Sequence, residues 1–404
     1  MMLSPTIARV QAGDLCTGCG LCAGLSDGGF TLHETAPGYL RPPGGAELKS
    51  TAEAAVARSC PGNRVAPWPR GAAVDPTWGL IGSCQTGHAV DPDVRFRGSS
   101  GGVLSALAIT ALENGLVDGV VHIIADPEQP TRNRTTVSRS REAILAGAGS
   151  RYAPSSPLAV VGSLLERNER FLFIGKPCDV SALVSLGEGD PRVARVFPYR
   201  LSFFCGGIPS FAGTDRILAA MGLSDQRLAA FRYRGNGWPG LAEARADDGT
   251  VATMRYADSW GRYLSPQLQY RCKICPDAIG GVADIAAADA WYGGESGYPA
   301  FDEQDGRSLV IGRSTAGREL LELAQAEGAI ALAPLDPAEI DLMQPAQARR
   351  KRLVLARTAA ARTLRQPVPE MIGTKVWQAA RSANLLETIR NYLGSLRRII
   401  MGRR

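Results

Sequence analysis

The stretch from Tyr270 to Trp291, YRCKICPDAIGGVADIAAADAW, contains a Cys-x-x-Cys pair, Cys272 and Cys275. Two thiolates at this spacing bind one metal centre, but a tetrahedral zinc ion or an iron–sulfur cluster needs four ligands. Two further cysteines follow short apolar runs that predict buried strands, Cys178 after FLFIG and Cys205 after LSFF. Strand ends face the crevice in which an open α/β sheet binds its cofactor. The sequence therefore predicts that these four cysteines hold one [4Fe–4S] cluster.

A second group of cysteines lies near the start of the chain. Cys16, Cys19 and Cys22 form a Cys-x-x-Cys-x-x-Cys run, and Cys60 follows after a gap, with a proline behind it. This is the ligand spacing of bacterial ferredoxins, in which the fourth cysteine is displaced along the chain. The segment has one such run, so Cys60 is predicted to complete the same group. We expect a second [4Fe–4S] cluster here, with a zinc knuckle as the alternative.

The composition predicts a globular protein in a reducing compartment. Hydrophobic residues make up 45% of the 404 and charged residues 21%, as in ordinary globular domains. Nine cysteines, clustered by motif, argue against a disulfide framework. The first residues lack the apolar core of a signal peptide, and no apolar run is long enough to span a bilayer. We therefore expect a cytoplasmic protein.

Two loops rich in glycine and serine are candidates for binding a phosphate-bearing cofactor. Gly98-Ser99-Ser100-Gly101-Gly102 precedes a periodic apolar segment that predicts a helix starting near Gly102, so amides and the positive end of the helix would face an anion. The second loop, residues 146–158, contains Arg151 and Tyr152, which would pair with phosphate and stack on a ring. The alternatives are a serine cap for the first loop and a surface turn for the second.

Three polar residues near the cysteines are candidates for proton transfer or charge stabilisation. Lys176 lies between the predicted strand Phe171–Gly175 and Cys178, where its charge would stabilise an anionic flavin or adjust the potential of a cluster. A solvated lysine is the alternative. Asp284 and Asp289 flank the small-residue run IAAA and are candidate general acids.

Six motifs occur in a characteristic order over roughly residues 16–335. They are CTGCGLC, GSSGGVLSALAITALENGLVDGVV, GSRYAPS, GKPCDVSAL, FFCGGIPS and RCKICPDAIGGVADIAAADAW. Together they resemble the coenzyme F420 hydrogenase/dehydrogenase beta-subunit family, which includes 7-hydroxymethyl chlorophyll a reductase and the ferredoxin-type divinyl chlorophyllide vinyl reductase. The resemblance implies FAD held beside [4Fe–4S] clusters in an α/β unit, with a ferredoxin-like segment fused in front in many members. It also implies that Cys178, Cys205, Cys272 and Cys275 hold the cluster nearest the flavin.

The patterns and the resemblance together predict an α/β (α+β) fold in four parts. A ferredoxin-like iron–sulfur segment occupies residues 1–66. A mixed-sheet flavin/iron–sulfur catalytic unit follows, with an N-terminal part at 78–165 and a C-terminal part, containing the second cluster, at 166–336. The Pro/Gly-rich residues 61–77 are interpreted as a linker. The last part, 337–404, is a helical tail with 14 Lys and Arg against 4 Asp and Glu.

The end of the tail predicts an amphipathic basic helix. One face carries Leu385, Leu386, Ile389, Leu393, Leu396 and Ile400, while the arginines 381, 390, 397 and 398 lie largely on other faces. Such a helix would lie on the anionic inner face of a membrane, dock on an acidic partner, or pack on the body of the protein itself. Aromatic residues do not interleave the basic ones, so no nucleic-acid partner is expected.

These observations predict an oxidoreductase that relays electrons through two [4Fe–4S] clusters and FAD. The donor would be ferredoxin, another redox partner or a deazaflavin such as coenzyme F420, and the acceptor a small organic molecule; the direction of flow is open. The GSSGG loop and basic tail are similar to those of bacterial members that accompany polysaccharide biosynthesis. The rival hypothesis is a zinc-bearing scaffold or membrane-surface adaptor, in which both cysteine sets are folding sites without redox activity.

Overall fold

A computed structural model describes residues 1–71, 74–293 and 301–402. The largest sheet within these residues is mixed and has eight strands. In chain order they are β1 Ser83–Ala89, β2 Gly119–Ala125, β3 Asn133–Ser138, β4 Phe171–Gly175, β5 Tyr199–Phe203, β6 Ile285–Asp289, β7 Ser308–Gly312 and β8 Ile330–Pro334. Across the sheet the order is β8-β1-β7-β6-β5-β4-β2-β3. The strands have five to seven residues, and the predicted ligands Cys178 and Cys205 follow β4 and β5.

Four adjacent strands at the centre of the sheet, β2, β4, β5 and β6, run parallel. Their residues are mostly buried, as expected for strands that are covered on both faces. The other four strands are antiparallel to their neighbours and extend the sheet on both sides. Because β4, β5 and β6 end at the same edge, the residues that follow Gly175 and Phe203 are brought beside Asp289.

Helices cover both faces of this sheet. On one face, Val103–Glu113 and Thr315–Ala326 pack on a core that includes Leu172 of β4. On the other face, Pro177–Gly187 packs on Phe171 and Phe173 of the same strand. Successive side chains of a strand point to opposite faces, so the apolar run FLFIG supplies both cores.

The helices of the described residues range from 3 to 19 residues in length. The helices in chain order are Pro5–Ala12, Leu21–Gly24, Ser50–Ser59, Pro92–Arg97, Val103–Glu113, Arg141–Ala146, Val161–Leu165, Pro177–Gly187, Arg192–Val196, Phe211–Ala220, Tyr256–Asp258, Tyr270–Lys273, Thr315–Ala326, Ile340–Met343, Pro345–Thr363, Val376–Ala380 and Leu385–Ile400. Turns of 3-10 helix lie at Pro157–Val160, Ser265–Gln267 and Pro337–Glu339, with a π-helix at Ser259–Leu264. Two-residue strands pair at Met2–Leu3 with Glu47–Leu48, His33–Glu34 with Leu40–Arg41, and Val74–Asp75 with Gly79–Leu80.

A buried carboxylate organises the N-terminal segment. Glu53, in the helix Ser50–Ser59, accepts hydrogen bonds from the Ser4 and Thr6 hydroxyls and from the Thr6 amide at 2.5–3.1 Å. These bonds cap the start of the helix Pro5–Ala12 and tie it to the second helix. The helix that ends at Ser59 is thereby held beside the first one, and Cys60 follows it directly.

Most of the predicted elements are confirmed. The helix expected near Gly102 is Val103–Glu113. Alternating residues around the turns at 235–237 and 247–249 predict a small antiparallel sheet, which is formed by Leu228–Arg232, Leu241–Ala246 and Val251–Arg255. The apolar patterns after Gly306 predict a strand over 308–312, a helix over 316–327 and a strand over 330–335, and these are β7, Thr315–Ala326 and β8. The sequence also predicts a helix over 157–168, which is shorter in the structure, because it begins as a 3-10 turn and ends in a tight turn in which Arg167 N donates to Leu164 O.

The interpretation of residues 61–77 as a linker is wrong, because the segment packs into the body of the protein. Val65, Ala66 and Trp68 are buried. The Val65 amide donates to Glu370 O at 2.9 Å, and the Ala66 amide donates to Ser181 Oγ at 2.8 Å. The prolines keep the backbone extended, and its apolar side chains are then covered by long-range contacts that composition does not reveal. Residues 72–73 of this segment lie outside the described residues.

Replacing Trp68 by alanine tests this packing. The Trp68 side chain is 2% exposed and lies so close to Gly281 that a Cβ there would meet the indole nitrogen at 2.2 Å. We expect Trp68→Ala to lower the free energy of unfolding by about 3–5 kcal/mol, because it leaves a cavity. The matched control is Trp377→Ala, at a residue that is 68% exposed, with an expected change within about 0.5 kcal/mol. Denaturant titrations measure both, and equal effects would contradict the packing.

Candidate metal centre and active site

Cys178, Cys205, Cys272 and Cys275 line one cavity, the sheet-edge cavity, beyond the ends of β4 and β5. It contains about 320 Å³ of empty space, counting the part that is open to solvent. Cys178 lies in the first turn of the helix after β4, Cys205 lies two residues beyond β5, and the Cys-x-x-Cys pair spans the end of the helix Tyr270–Lys273. The structure thus brings together the four cysteines that the sequence singled out.

Hydrogen bonds hold the loops that carry these cysteines. The Cys205 amide donates to Ala278 O at 2.8 Å, which joins the loop after β5 to the loop after Cys275. The Ile208 amide donates to Cys272 Sγ at 3.3 Å. An amide that points at sulfur favours the thiolate, which is the form that binds a metal.

Burial raises the pKa of the thiols in this set. It raises the pKa of Cys178 and Cys272, and it raises that of Cys205 to about 12; nearby thiolates add to the effect. Such thiols remain protonated until a positive metal centre displaces the protons. Four thiols around one cavity, with Cys272 buried, the other three half-buried and an amide directed at sulfur, fit a [4Fe–4S] cluster.

The other cysteine set, the first in chain order, consists of the ferredoxin-type run Cys16, Cys19 and Cys22 together with Cys60. Each of these thiols interacts electrostatically with at least one other member. Gly18 and Gly20 have φ values of +75° and +86°, which let the run curl back on itself, and the Gly18 amide donates to Cys16 Sγ at 3.4 Å. Burial raises the pKa of all four thiols, that of Cys60 to about 11. This donor set fits a cluster for the same reasons.

A buried arginine joins the two sets. Arg271 is 2% exposed and donates from Nε and Nη2 to Pro61 O at 3.1 and 2.9 Å. The residue before Cys272 therefore binds the residue after Cys60. Arg271 also lines the sheet-edge cavity, so its guanidinium lies between two groups of thiols.

Other contacts also hold the two cysteine sets close together. Thr17, in the ferredoxin-type run, lines the sheet-edge cavity. Gln269 Nε2 lies 3.5 Å from Thr17 O and 3.6 Å from Cys272 Sγ. Within 1–71, 74–293 and 301–402, no three His, Cys, Asp or Glu side chains are grouped tightly enough to hold a single metal ion. In a cluster each thiolate binds a different iron, so its donor set is wider than that of one ion.

Lys176 is buried at the same edge of the sheet, so the alternative of a solvated lysine is wrong. Its Nζ lies 2.7 Å from both Asp179 Oδ2 and Ser155 Oγ. Burial by itself would lower the pKa of Lys176, but the Asp179 carboxylate and the neighbouring Cys178 outweigh it and raise the pKa. The result is a fixed ammonium group two residues before the candidate ligand Cys178.

The two candidate aspartates lie at opposite edges of the sheet. Asp289 ends β6 on the side of the cavity, whereas Asp284 precedes β6. A strand of five residues is roughly 16 Å long, so the two carboxylates do not share a site. Asp284 accepts hydrogen bonds from the Arg200 amide at 2.8 Å and from Ser314 Oγ at 2.7 Å. It joins elements of the fold at the far edge.

Asp289 forms an ion pair that sequence reasoning missed. Its carboxylate accepts from Arg234 Nη1 and Nη2 at 2.9 and 3.0 Å and from Trp238 Nε1 at 2.7 Å. The Arg234 side chain is 1% exposed, and its guanidinium lies 4.5 Å from the Tyr256 ring centroid and 5.3 Å from that of Trp291. Tyr152 joins this group, since its hydroxyl accepts from Arg234 Nη1 at 3.4 Å. The signal for this pair in the sequence was limited to Trp238, which follows the turn-forming residues Gly235-Asn236-Gly237.

The two Gly/Ser-rich loops meet at Ser99 and Ser150, whose hydroxyls are 2.6 Å apart. Gly98 and Gly102 also lie in close contact, because a Cβ on Gly98 would meet Gly102 Cα at 2.9 Å. Ser100 Oγ donates to Arg307 O at 2.9 Å, and the Gly101 amide donates to Ser308 Oγ at 2.9 Å. These bonds fasten the first loop to β7 and leave the Ser99 side facing the second loop.

Arg151 is held by hydrogen bonds, whereas Arg232 has a nitrogen without a hydrogen-bond partner among the described residues. The Arg151 guanidinium donates to Asn133 Oδ1 and to the carbonyls of Pro130, Arg132 and Phe231 at 2.6–2.9 Å, so it stabilises the second loop from within. The expectation of a mere surface turn is therefore wrong for this residue. Arg232, which the sequence did not single out, has an Nη1 atom that finds no hydrogen-bond partner among the described residues. It lies beside Gly149, where a Cβ would be 3.3 Å from that nitrogen.

Cys84 lies apart from both sets. It is on β1, paired in register with Ile311 of β7, and it packs against the core under the sheet. Burial raises its pKa to about 11. A lone cysteine without a nearby partner is predicted to act as a small hydrophobic residue rather than a ligand, and the half-buried position of Cys84 agrees with this.

Comparisons with known proteins agree with this architecture. The family models for the coenzyme F420 hydrogenase/dehydrogenase beta subunit match residues 84–161 with the N-terminal model and 168–338 with the C-terminal one. Coenzyme F420 hydrogenase subunit beta of Methanosarcina barkeri is 25% identical over 286 residues, which cover 67% of this chain and 88% of the relative. The same subunit of Methanococcus voltae is 24% identical over 295 residues, 70% of this chain and 95% of the relative.

A solved structure shares the fold. One chain of the F420-reducing [NiFe] hydrogenase complex from Methanosarcina barkeri aligns with a TM-score of 0.55 and 22% identity, covering 72% of this chain and 95% of that one. The resemblance inferred from the six motifs is confirmed. The chain therefore belongs to the coenzyme F420 hydrogenase/dehydrogenase beta-subunit family of oxidoreductases.

Proposed function

We propose that the protein is an iron–sulfur flavoprotein oxidoreductase that relays electrons between a ferredoxin- or deazaflavin-type donor and a small organic substrate. The observation that carries the proposal is the pairing of two four-cysteine sets across Arg271, each with buried thiols and amides directed at sulfur. Relatives named for coenzyme F420 hydrogenase support a deazaflavin as one of the two electron partners. Electron flow in either direction is compatible with these observations.

The eight cysteines would hold two [4Fe–4S] clusters. The first set, Cys16, Cys19, Cys22 and Cys60, would face the redox partner, and the second, Cys178, Cys205, Cys272 and Cys275, would face the flavin. When bound, the clusters would supply one-electron transfer and FAD would pair two electrons for the substrate. The residues of the chain position these groups: Arg271 holds the two sets together and the β4 and β5 ends present the second set.

The meeting point of the two Gly/Ser-rich loops supports an FAD site. The helix Val103–Glu113 begins there, with its unpaired amides and positive dipole end. Ser99 and Ser150 supply hydroxyls, and Arg232 supplies an Nη1 that is free to bind an anion within the described structure. These groups together are suited to a pyrophosphate. Tyr152, beside the Arg234–Asp289 pair, remains the candidate for contact with a ring.

Lys176 is our candidate for stabilising a negative flavin, because its raised pKa keeps the side chain protonated. Ser155 and Asp179 hold its ammonium group in place. Asp289 lies at the same edge, but its ion pair with Arg234 suits it to orient neighbouring groups rather than to release a proton. Asp284 is excluded as a general acid of this site, because it is bound to Arg200 and Ser314 at the far edge. For the substrate we retain the hypothesis of a step in polysaccharide biosynthesis.

Metal and flavin analysis tests the proposal. Anaerobically loaded protein should contain about eight iron and eight sulfide per chain, together with bound FAD. Cys272→Ser should remove about half of the iron and abolish electron transfer to the flavin, because one set loses a ligand. Cys84→Ser is the matched control and should retain all of the iron. Zinc without iron would contradict the proposal and favour the scaffold hypothesis, and undiminished iron in Cys272→Ser would contradict the ligand assignment.

The terminal helix, Leu385–Ile400, supports a contact with an anionic membrane surface. One side packs on Pro345–Thr363, with Ser395 and Ile399 buried, so the expectation of packing on the body is met. The apolar face nevertheless points outward: Leu385, Leu386, Ile389, Leu393 and Ile400 are 46–71% exposed. Exposed apolar residues flanked by arginines are typical of helices that lie in a membrane interface. No helix in the described part of the chain has the length and apolar character needed to cross a bilayer.

Vesicle sedimentation tests the membrane contact. Leu386→Glu combined with Leu393→Glu should release the protein from vesicles that contain anionic lipid, because two carboxylates would enter the apolar interface. The matched control places the same change at Leu241 and Val251, two aliphatic residues of similar exposure on the small sheet, and should still sediment. Sedimentation of both variants to the same extent would rule out the terminal helix as the contact.

A further inference from the structure

The helix Pro345–Thr363, the cover helix, forms one wall of the sheet-edge cavity. It begins beyond residue 338, where the family match ends, in a region that the sequence identified only as a basic tail. Proline at its first position starts the helix, and its inner side is buried against the body. Lys351 anchors this side, because its Nζ donates to Pro276 O at 2.6 Å and lies 3.6 Å from the Trp68 ring centroid.

Arg350 reaches the cysteine loop from this helix. Its Nη1 donates to Cys205 O at 2.8 Å, and its Nη2 donates to Gly206 O. Gln347, one turn earlier on the same side, donates from Nε2 to Cys205 O at 3.1 Å. Arg350 also lines the cavity together with the four cysteines of the second set. The cover helix therefore places a guanidinium directly beside the loop that presents a ligand.

The positive charge of Arg350 is directed at this cavity and not at a carboxylate. Its neighbours Arg349 and Arg352 form salt bridges with Glu387 and Asp341. Arg350 forms none with any residue that the structure describes, and its recorded partners are neutral carbonyl groups. Burial raises the pKa of the Cys205 thiol, and Arg350 opposes that effect. A charge that favours the thiolates also favours any further negative charge in the cavity.

We propose that Arg350 is a positioning residue that raises the reduction potential of the cluster held by Cys178, Cys205, Cys272 and Cys275. The inference rests on the proposed function, because it needs a cluster in the sheet-edge cavity. Reduction by one electron, supplied by the external donor, adds one negative charge to the cluster without breaking a bond. A guanidinium is always charged, so it stabilises the reduced form more than the oxidised form. The cover helix thus adds to the family fold a device that makes this cluster easier to reduce.

A redox titration followed by electron paramagnetic resonance tests the inference on the full iron-loaded chain. Arg350→Gln should move the midpoint potential of one cluster to a more negative value, because the reduced form loses its counter-charge. The potential of the other cluster should stay unchanged. The matched control is Arg349→Gln, the same change one residue earlier on the same helix, where the side chain is 61% exposed and faces Glu387. It should leave both potentials at their wild-type values.

The outcomes separate this inference from the proposed function. Wild-type protein without a cluster signal overturns both. Full iron content with wild-type potentials in Arg350→Gln overturns the inference and leaves the proposed function standing. If Arg350→Gln fails to retain its iron, Gln347→Glu decides, because it introduces a negative charge beside Cys205 while Arg350 is kept. A more negative potential of the same cluster supports the inference, and an unchanged one overturns it.

Discussion

The hydrogen bonds from the buried guanidinium of Arg271 to Pro61 O are the contact on which the candidate site depends. They fasten the end of the ferredoxin-type run to the start of the Cys-x-x-Cys pair, although the two lie far apart in the chain. They also place a positive charge between two groups of thiols that would become anionic on binding metal, where it would reduce the repulsion between them. Together with the Leu158 amide, which donates to Cys19 O at 2.9 Å, and with Gln269 Nε2, which lies 3.5 Å from Thr17 O, this contact fixes the N-terminal segment relative to the sheet-edge cavity.

The direction of strand β6 decides which of the aspartates at its two ends lies at the site. Because β4, β5 and β6 run parallel, Lys176, Cys205 and Asp289 lie at one edge of the sheet. Asp284 lies at the other edge, although it is only five positions from Asp289 in the sequence. The same geometry explains why the crevice beyond parallel strands recurs as a binding site in α/β proteins. The fold therefore assigns roles to residues that sequence alone treats as equivalent.

The cysteine sets could be predicted because their signals are local: ligand spacing for one set, and positions after apolar strands for the other. The helix after GSSGG and the strand FLFIG were predicted for the same reason. The contacts of Arg350 could not be predicted, because 145 residues separate it from Cys205. The burial of Trp68 depends likewise on distant elements, here Gly281 and Lys351. The sequence predicted a linker for the first region and a basic helical tail for the second, and only the tertiary contacts show that Trp68 is buried and that Arg350 lines the sheet-edge cavity.

We propose that the two cysteine sets hold two clusters close enough to act as one unit. Electron paramagnetic resonance of the fully reduced, iron-loaded protein tests it most directly, because two paramagnetic clusters at short range broaden each other's signals. We expect a broadened spectrum in the wild-type protein. We also expect a single sharp signal in a Cys16→Ser, Cys19→Ser variant, in which one cluster is lost. A sharp signal from one cluster in both proteins, or two signals without mutual broadening, would contradict it.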